Sequence, residues 1–222
     1  MRLETYHDRT ALMQGLADVM ASELRAALRV GPATLSVPGG TTPGPVFDLL
    51  AQMDLDWARV AVLLNDERWV GLDSPRSNTR LLQERLLTGP AARAQLVPMY
   101  AAYPAPEQGL AELAAGIIPH LPITVLLLGM GHDMHTASLF PGADLLARAL
   151  SVDAPVVMAL RSKAAGEPRI TLTAPVLRAA RHIHILITGA EKRAALERAL
   201  QLPAMDAPIK AVLDQATVHW AE

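Results

Sequence analysis

Two histidines and an aspartate follow an apolar run in the segment LLLGMGHDMHTASLFPG, residues 126–142. His132, Asp133 and His135 form an H-D-x-H pattern, and such residue types can bind a metal ion. A helix would place the two histidines on one face, but glycines before them and Pro141-Gly142 after them leave no room for a helix. The sequence also has no second cluster with ligand spacing. The spacing therefore argues against a metal site.

The same segment also begins like a dinucleotide-binding loop, because Gly129 and Gly131 form a G-x-G pattern. The third glycine of that pattern is missing, which argues against a nucleotide. The remaining interpretation of this segment is proton transfer. An aspartate two residues from a histidine can fix the imidazole tautomer and stabilise the imidazolium. Since no G-x-S-x-G nucleophile motif is present, the pair predicts water-mediated hydrolysis or proton abstraction rather than a covalent mechanism.

A second polar cluster, PGGTTP at residues 38–43, follows an apolar run. Gly39 and Gly40 allow a sharp turn and a close approach to a ligand, and Thr41 and Thr42 add hydroxyls beside a predicted helix N-terminus. Such a site favours an anion, most often phosphate. A simple strand-to-helix turn fits the cluster equally well. The cluster is not a Walker loop, because the lysine of that motif is missing.

Three basic residues follow other apolar runs: Arg68 in NDER (65–68), Arg169 in PRITLT, and Lys192 after HIHILITGA. An arginine can bind phosphate through two hydrogen bonds, with a carboxylate such as Asp66 holding its side chain. Taken alone, NDER also fits a surface ion pair, and Arg169 and Lys192 also fit solvated surface residues.

The elements that position these clusters are apolar strands alternating with amphipathic helices. Asp8 is predicted as the N-cap of a helix over 10–28, and Ser77 as the cap of a helix carrying Leu81 and Leu82. Further helices are predicted at 106–118 and 191–200, and strands at 33–37, 59–65, 95–100, 123–129, 154–160 and 182–188, with 216–222 as an edge strand. His182 and His184 alternate along the 182–188 strand as partly buried polar groups without a catalytic role.

Strands separated by helices predict one α/β domain over residues 1–222, with a doubly wound, mainly parallel sheet and helices on both faces. Ligands of such sheets bind beyond the carboxyl ends of the strands. Because four polar clusters follow predicted strands, we expect them to meet at that edge.

Composition excludes several classes of protein. The 222 residues carry a formal net charge of −2, so no basic field is available for nucleic acid. No apolar run approaches the roughly 20 residues of a membrane span. The absence of cysteine excludes disulfides, thiolate metal sites and a cysteine nucleophile. With no signal-peptide pattern at the start, a cytoplasmic location is expected.

Five blocks, in this order, resemble the 6-phosphogluconolactonase family, which is related to the glucosamine-6-phosphate deaminases and isomerases. The blocks are PGGTTP (38–43), NDER with SPRSNTRLL (65–82), LLGMGHDMHTASLFPG (127–142), RITLT (169–173) and ITGAEKRAAL (187–196). The resemblance implies a Rossmann-like α/β fold, no cofactor, no metal and hydrolysis of 6-phosphogluconolactone in the pentose phosphate pathway. Its partner is then a small phosphosugar lactone, and the chain a monomer or weak dimer.

The resemblance also implies roles for individual residues. His135 is similar to the general base towards the hydrolytic water, and Asp133 to the aspartate that orients it. Gly39, Gly40, Thr41 and Thr42 match the phosphate turn. The substrate phosphate is expected near the residues Asp66, Arg68, Arg169 and Lys192.

Two positions depart from the family pattern. Met134 stands where a glycine is usual, and methionine would be strained there if the backbone is left-handed. Pro38 replaces a common serine and removes one hydroxyl and one N–H from the turn.

Two alternative functions stay open. One is a deaminase or isomerase acting on an amino-sugar phosphate, and the other is a non-catalytic sugar-phosphate-binding module. The run TASLFPG after His135 resembles the lactonases rather than the deaminases, which carry a glutamate there.

Overall fold

The central feature is a seven-stranded sheet in the computed structural model, which describes residues 1–222. Its strands are β1 (Arg2–Thr5), β2 (Ala33–Val37), β3 (Val60–Leu64), β5 (Gln95–Val97), β6 (Val125–Gly129), β9 (His182–Thr188) and β10 (Thr217–Ala221). They lie in the order β1-β10-β9-β6-β2-β3-β5, and every pair is parallel. The predicted α/β fold with a mainly parallel sheet is confirmed.

A second sheet of three strands is antiparallel and was not expected from the sequence. It consists of β4 (Asp66–Arg68), β7 (Val157–Leu160) and β8 (Arg169–Leu172), in the order β4-β8-β7. The strand predicted at 154–160 therefore exists, but in this sheet. The run at 169–172 is too short to indicate a strand by itself.

Eight α-helices accompany the sheets: α1 (Arg9–Leu28), α2 (Gly44–Ala51), α3 (Asn78–Arg85), α4 (Pro106–Ile117), α5 (Leu146–Leu150), α6 (Ala174–Arg178), α7 (Ala190–Ala199) and α8 (Lys210–Leu213). Both predicted caps are confirmed. Asp8 accepts a hydrogen bond from the amide of Ala11, and Ser77 accepts one from the amide of Arg80. Strands β2 and β3 are buried along their whole length, as expected for parallel strands covered on both faces.

One sequence prediction about the sheet edge is wrong. The last strand, β10, was expected at an edge, but β1 pairs with it in parallel and forms the edge instead. The strand β1 is short, polar and partly exposed, so it carries no apolar run that could reveal it. None of the helices combines the length and apolarity that a membrane crossing requires.

Candidate active site

A cavity of about 370 Å³ lies beyond the carboxyl ends of β2 and β6, between the two sheets. Most of the predicted site residues line it: Gly39, Gly40, Asp66, Arg68, His135, Arg169 and Lys192. These residues come from five separate parts of the chain. The expectation that the polar clusters meet at one edge therefore agrees with the structure.

The two threonines of the turn differ in their relation to the site. Thr42 lines a smaller adjoining cavity of about 120 Å³, which also contacts Gly40 and Lys192. Thr41 lines neither cavity, and both threonines line a separate cleft with Arg9 and Asp48. The structure thus brings Thr42 to the margin of the site and leaves Thr41 outside it.

Asn65, which is fully buried, holds the chain where it passes from the central sheet to the second sheet. Its side chain accepts a hydrogen bond from Ser36 Oγ (2.6 Å) and donates one to the carbonyl of Leu127 (2.7 Å). Its own carbonyl accepts from the amide of Leu172 in the second sheet. Asn65 therefore holds the chain where it leaves β3, and Asp66 and Arg68 follow directly into the cavity wall.

His135 and Asp133 form a close pair. The imidazole Nδ1 lies 2.5 Å from Asp133 Oδ1, and the ring packs on Phe140 with 4.1 Å between ring centroids. Burial acts to raise the pKa of Asp133, but the hydrogen bond and charge of His135 outweigh it and hold the pKa below its usual value. Asp133 is therefore a carboxylate at neutral pH. Of the two ring nitrogens of His135 it contacts only Nδ1, and Nε2 of the same ring has no protein partner.

His132, the other histidine of the pattern, is not part of this arrangement. Its ring is largely exposed, and Nδ1 lies 3.7 Å from the carboxylate of Glu191. The two histidines of the H-D-x-H pattern therefore have different partners.

The backbone between the paired residues is left-handed. Met134 has φ 65°, so the strain anticipated for methionine at this position is present and costs roughly 1–2 kcal/mol. Three hydrogen bonds hold the loop: Gly131 N to His135 O (2.9 Å), Met134 N to Gly131 O (3.0 Å) and Ile209 N to Met134 O (3.1 Å). The surrounding contacts thus impose the conformation that the residue type disfavours.

Gly131 has a role that the sequence did not reveal. A β-carbon at this position would overlap both His135 Nδ1 and Asp133 Oδ1. The glycine therefore provides the space that the histidine–aspartate pair occupies. Its G-x-G context suggested only an incomplete nucleotide loop.

Arg68 and Arg169 are directly opposite each other on β4 and β8. Like charges in such a pair repel, and the Nε atom of each guanidinium is buried without a hydrogen-bond partner. Burial lowers the pKa of Arg169, partly against the attraction of Asp66. Asp66 Oδ2 lies 3.9 Å from Arg169 Nη1 and accepts a hydrogen bond from Ser138. Two facing arginines with unsatisfied donors form a cradle for an anion.

Lys192 supplies a third positive charge from the first turn of α7. Its ammonium group donates to the carbonyl of Met130 at 2.7 Å. Burial lowers the pKa of Lys192, while Asp133 and Glu191 act in the opposite direction. The lysine therefore lies on the side of the cavity that holds the Asp133–His135 pair.

The NDER cluster is not a surface ion pair. Asp66 is buried and Glu67 is fully buried. The Glu67 carboxylate accepts hydrogen bonds from backbone amides at the start of α3. Asn78, the first residue of α3, also lines the cavity. Both Glu67 and Asn78 were missed as site residues, and the signal available was only their place in polar blocks after a strand.

Several known proteins similar to this chain are 6-phosphogluconolactonases. The family model described as glucosamine-6-phosphate isomerases/6-phosphogluconolactonase matches residues 7–220. A 6-phosphogluconolactonase of Rhizobium meliloti is 38% identical, over 99% of this chain and 98% of its own. One from Mesorhizobium japonicum is 41% identical, over 97% and 93%. The crystal structure of a 6-phosphogluconolactonase from Shewanella baltica superimposes with a TM-score of 0.96 at 34% identity, covering 100% of this chain and 98% of that one.

Proposed function

The chain belongs to the family of glucosamine-6-phosphate isomerases and 6-phosphogluconolactonases, and on that premise we propose that it hydrolyses 6-phospho-D-glucono-1,5-lactone to 6-phosphogluconate. The observation that carries the proposal is the His135–Asp133 pair at a cavity whose wall contains three cationic side chains. This arrangement combines a base for water with a binding site for a phosphorylated substrate.

The facing arginines bind the phosphate in this proposal. A phosphate oxygen placed between Arg68 and Arg169 removes their mutual repulsion and accepts from their buried Nε–H groups. Gly39 and Gly40 line the same cavity, so the turn between β2 and α2 adds backbone amides near the anion. Asp66 holds Arg169 in place from the other side.

His135 performs the proton transfers. With Nδ1–H donated to Asp133, Nε2 accepts a proton from water as the water oxygen bonds to the lactone carbonyl carbon. The bond from that carbon to the ring oxygen then breaks, and the proton passes from His135 to the ring oxygen. The products are the free hydroxyl and the carboxylic acid, and no covalent enzyme intermediate forms.

Lys192 stabilises the oxyanion that develops on the lactone carbonyl. It lies on the His135 side of the cavity, whereas the two arginines lie together on the second sheet. A positioned donor of this kind contributes on the order of 3 kcal/mol to lowering the barrier.

The test is acid release from freshly generated lactone, measured against spontaneous hydrolysis. We expect the wild type to exceed the spontaneous rate and His135→Ala to lose roughly 10²–10⁴-fold in kcat. His132→Ala is the matched control, because it removes a histidine three residues away that lies outside the cavity, and it should keep full activity. Arg68→Ala should mainly raise KM.

Two outcomes would contradict the proposal. A wild-type rate equal to spontaneous hydrolysis would exclude lactonase activity. Full activity in His135→Ala would exclude the general-base role while leaving the activity in place. Ammonia release from glucosamine 6-phosphate, without lactone hydrolysis, would support the deaminase alternative.

A further inference from the structure

A buried amide side chain lies in the cavity wall beside the phosphate turn. Asn78 is only 4% exposed, yet it lines the cavity together with Gly39 and Arg68. We propose that Asn78 recognises a hydroxyl group of the bound sugar and so contributes to substrate specificity. This proposal rests on the proposed function of the site as a phosphosugar site.

The side chain of Asn78 is held in one orientation. Its Nδ2 donates to the backbone carbonyl of Asp66 at 3.1 Å. A carbonyl can only accept, so the nitrogen end of the amide must point to Asp66. The orientation of Oδ1 follows from this single contact.

The backbone beneath Asn78 is fixed by Glu67, which is fully buried. The Glu67 carboxylate accepts from the amides of Asn78 (2.8 Å) and Thr79 (2.7 Å) and from the hydroxyl of Thr79 (2.7 Å). It also accepts from Ser77 Oγ and from the amide of Arg68. One carboxylate thus ties the start of α3 to the strand that carries Arg68, and Glu67 acts as a positioning residue for both side chains.

The amide also lies directly against the phosphate turn. A β-carbon at Gly39 would overlap the Oδ1, Cγ and Nδ2 atoms of Asn78. Gly39 therefore allows this side chain to reach the cavity. A substrate whose phosphate lies between the arginines and the turn has part of its sugar within reach of Asn78.

The hydrogen-bonding capacity of the amide indicates what it binds. Within the chain, Oδ1 accepts no hydrogen bond, and Nδ2 uses one of its two hydrogens. One donor and one acceptor are left, and a hydroxyl group can satisfy both. A phosphate at neutral pH mainly accepts, and Arg68 and Arg169 already supply it with cationic donors. A sugar hydroxyl is therefore the better partner for Asn78.

The experiment measures binding of the stable product 6-phosphogluconate by titration calorimetry. Wild type and Asn78→Ala are compared, each with the full ligand and with analogues that lack one hydroxyl. We expect Asn78→Ala to weaken binding of the full ligand about 3- to 10-fold, as one neutral hydrogen bond contributes. For one analogue, the wild type and the variant should bind equally, because the hydroxyl that contacts Asn78 is absent.

Ser77→Ala is the matched control. Ser77 caps the same helix and contacts Glu67, but it does not line the cavity. This variant should lower the thermal midpoint without changing affinity. Equal losses for Asn78→Ala across every analogue, or an equal affinity loss in Ser77→Ala, would overturn the proposal and leave Asn78 with a helix-terminal role only.

The readout separates this proposal from the proposed function. Binding of 6-phosphogluconate does not require hydrolysis. A protein that binds the ligand through Asn78 but does not open the lactone contradicts the proposed reaction alone. Hydrolysis without any dependence on Asn78 contradicts this inference alone.

Discussion

Two regions of the molecule each contain a histidine hydrogen-bonded to a carboxylate. In the cavity, His135 Nδ1 lies 2.5 Å from Asp133; in the core, His184 Nε2 lies 2.8 Å from Glu23. The difference lies at the other ring nitrogen. His135 Nε2 has no protein partner, whereas His184 Nδ1 lies 3.0 Å from His219 Nε2. A histidine–carboxylate pair can therefore exchange protons with a ligand only where the second nitrogen is unoccupied.

The core pair belongs to a chain of hydrogen bonds with a defined direction. Because the Glu23 carboxylate accepts, His184 donates from Nε2 and accepts at Nδ1 from His219. His219 Nδ1 then accepts from the hydroxyl of Tyr6 at 2.8 Å. The other Glu23 oxygen lies 3.2 Å from His182 Nδ1. This network joins α1, β9, β10 and the residue after β1, so we expect it to contribute to stability rather than to chemistry.

The largest effect expected from this comparison is on catalysis at the cavity. Asp133→Asn keeps the shape of the side chain but allows the amide to donate to His135 Nδ1, which favours the wrong tautomer. We expect kcat for the lactone to fall by about 100-fold, within the roughly 10²–10⁴-fold that general-base catalysis contributes. Because Asp133 is half-exposed, urea unfolding should show a loss below about 1 kcal/mol. An unchanged kcat would show that the pair does not set the tautomer.

The matching substitution in the core should lower the stability of the protein and leave its kcat nearly unchanged. Glu23→Gln weakens the acceptor for His184 and His182, and we expect the free energy of unfolding to fall by about 1–3 kcal/mol, as is typical of buried hydrogen bonds to charged groups. The kcat of the folded variant should stay within about twofold of wild type, because the network lies in the core and not at the cavity. A twofold change corresponds to about 0.4 kcal/mol in the activation barrier. A fall in kcat as large as that of Asp133→Asn would remove the distinction between the two pairs.

The sequence predicted the cavity pair but not the core network, and the reason is physical. Asp133 and His135 are two residues apart, so their contact is local and the pattern displays it. Glu23 and His184 are 161 positions apart, and only the packing of α1 against the sheet brings them together. The alternation of His182 and His184 correctly indicated a strand with polar positions, but the partner could not be read from it.

The same distinction between local contacts and contacts of distant residues holds for the rest of the fold and site. Long apolar runs and capped amphipathic helices were predicted well, since burial and capping follow from local sequence. The short polar strands β1 and β4 were missed, because only their neighbours make them strands. Gly131 and Asn78 were missed because their roles are close approaches to distant atoms. Thr41 was expected in the site because of its neighbours in the turn, yet it lines only a separate cleft.

The core network also gives an expected pH dependence of stability. Burial lowers the pKa of His219 from 6.5 to about 3, and the charge of Arg2 acts in the same direction. Between these values the unfolded chain binds a proton that the folded chain does not. His219 therefore contributes full stability above pH 6.5, which is lost as the pH falls towards 3, with a slope of up to about 1.4 kcal/mol per pH unit.

Urea unfolding at several pH values measures this slope. His219→Gln should make the acid dependence shallower, because glutamine does not titrate. His7→Gln is the control, since the His7 ring is largely exposed and contacts only Asp8. If His219→Gln and wild type lost stability in parallel below pH 6.5, the network would not be the source of the dependence.

The smallest expected effect concerns the strain that the cavity loop contains and the core network does not. Met134 is left-handed and half-buried, so replacing it changes both strain and packing. Comparing Met134→Gly with Met134→Ala separates the two, because both lose the side chain and only alanine keeps most of the strain. We expect the glycine variant to be more stable than the alanine variant by about 1 kcal/mol in urea unfolding, since a left-handed residue other than glycine costs roughly 1–2 kcal/mol and glycine returns part of that through its unfolded-state entropy. Equal stability of the two variants would show that the hydrogen bonds around Met134 have relaxed the strain, and that the histidine loop, like the core, is held without a conformational cost.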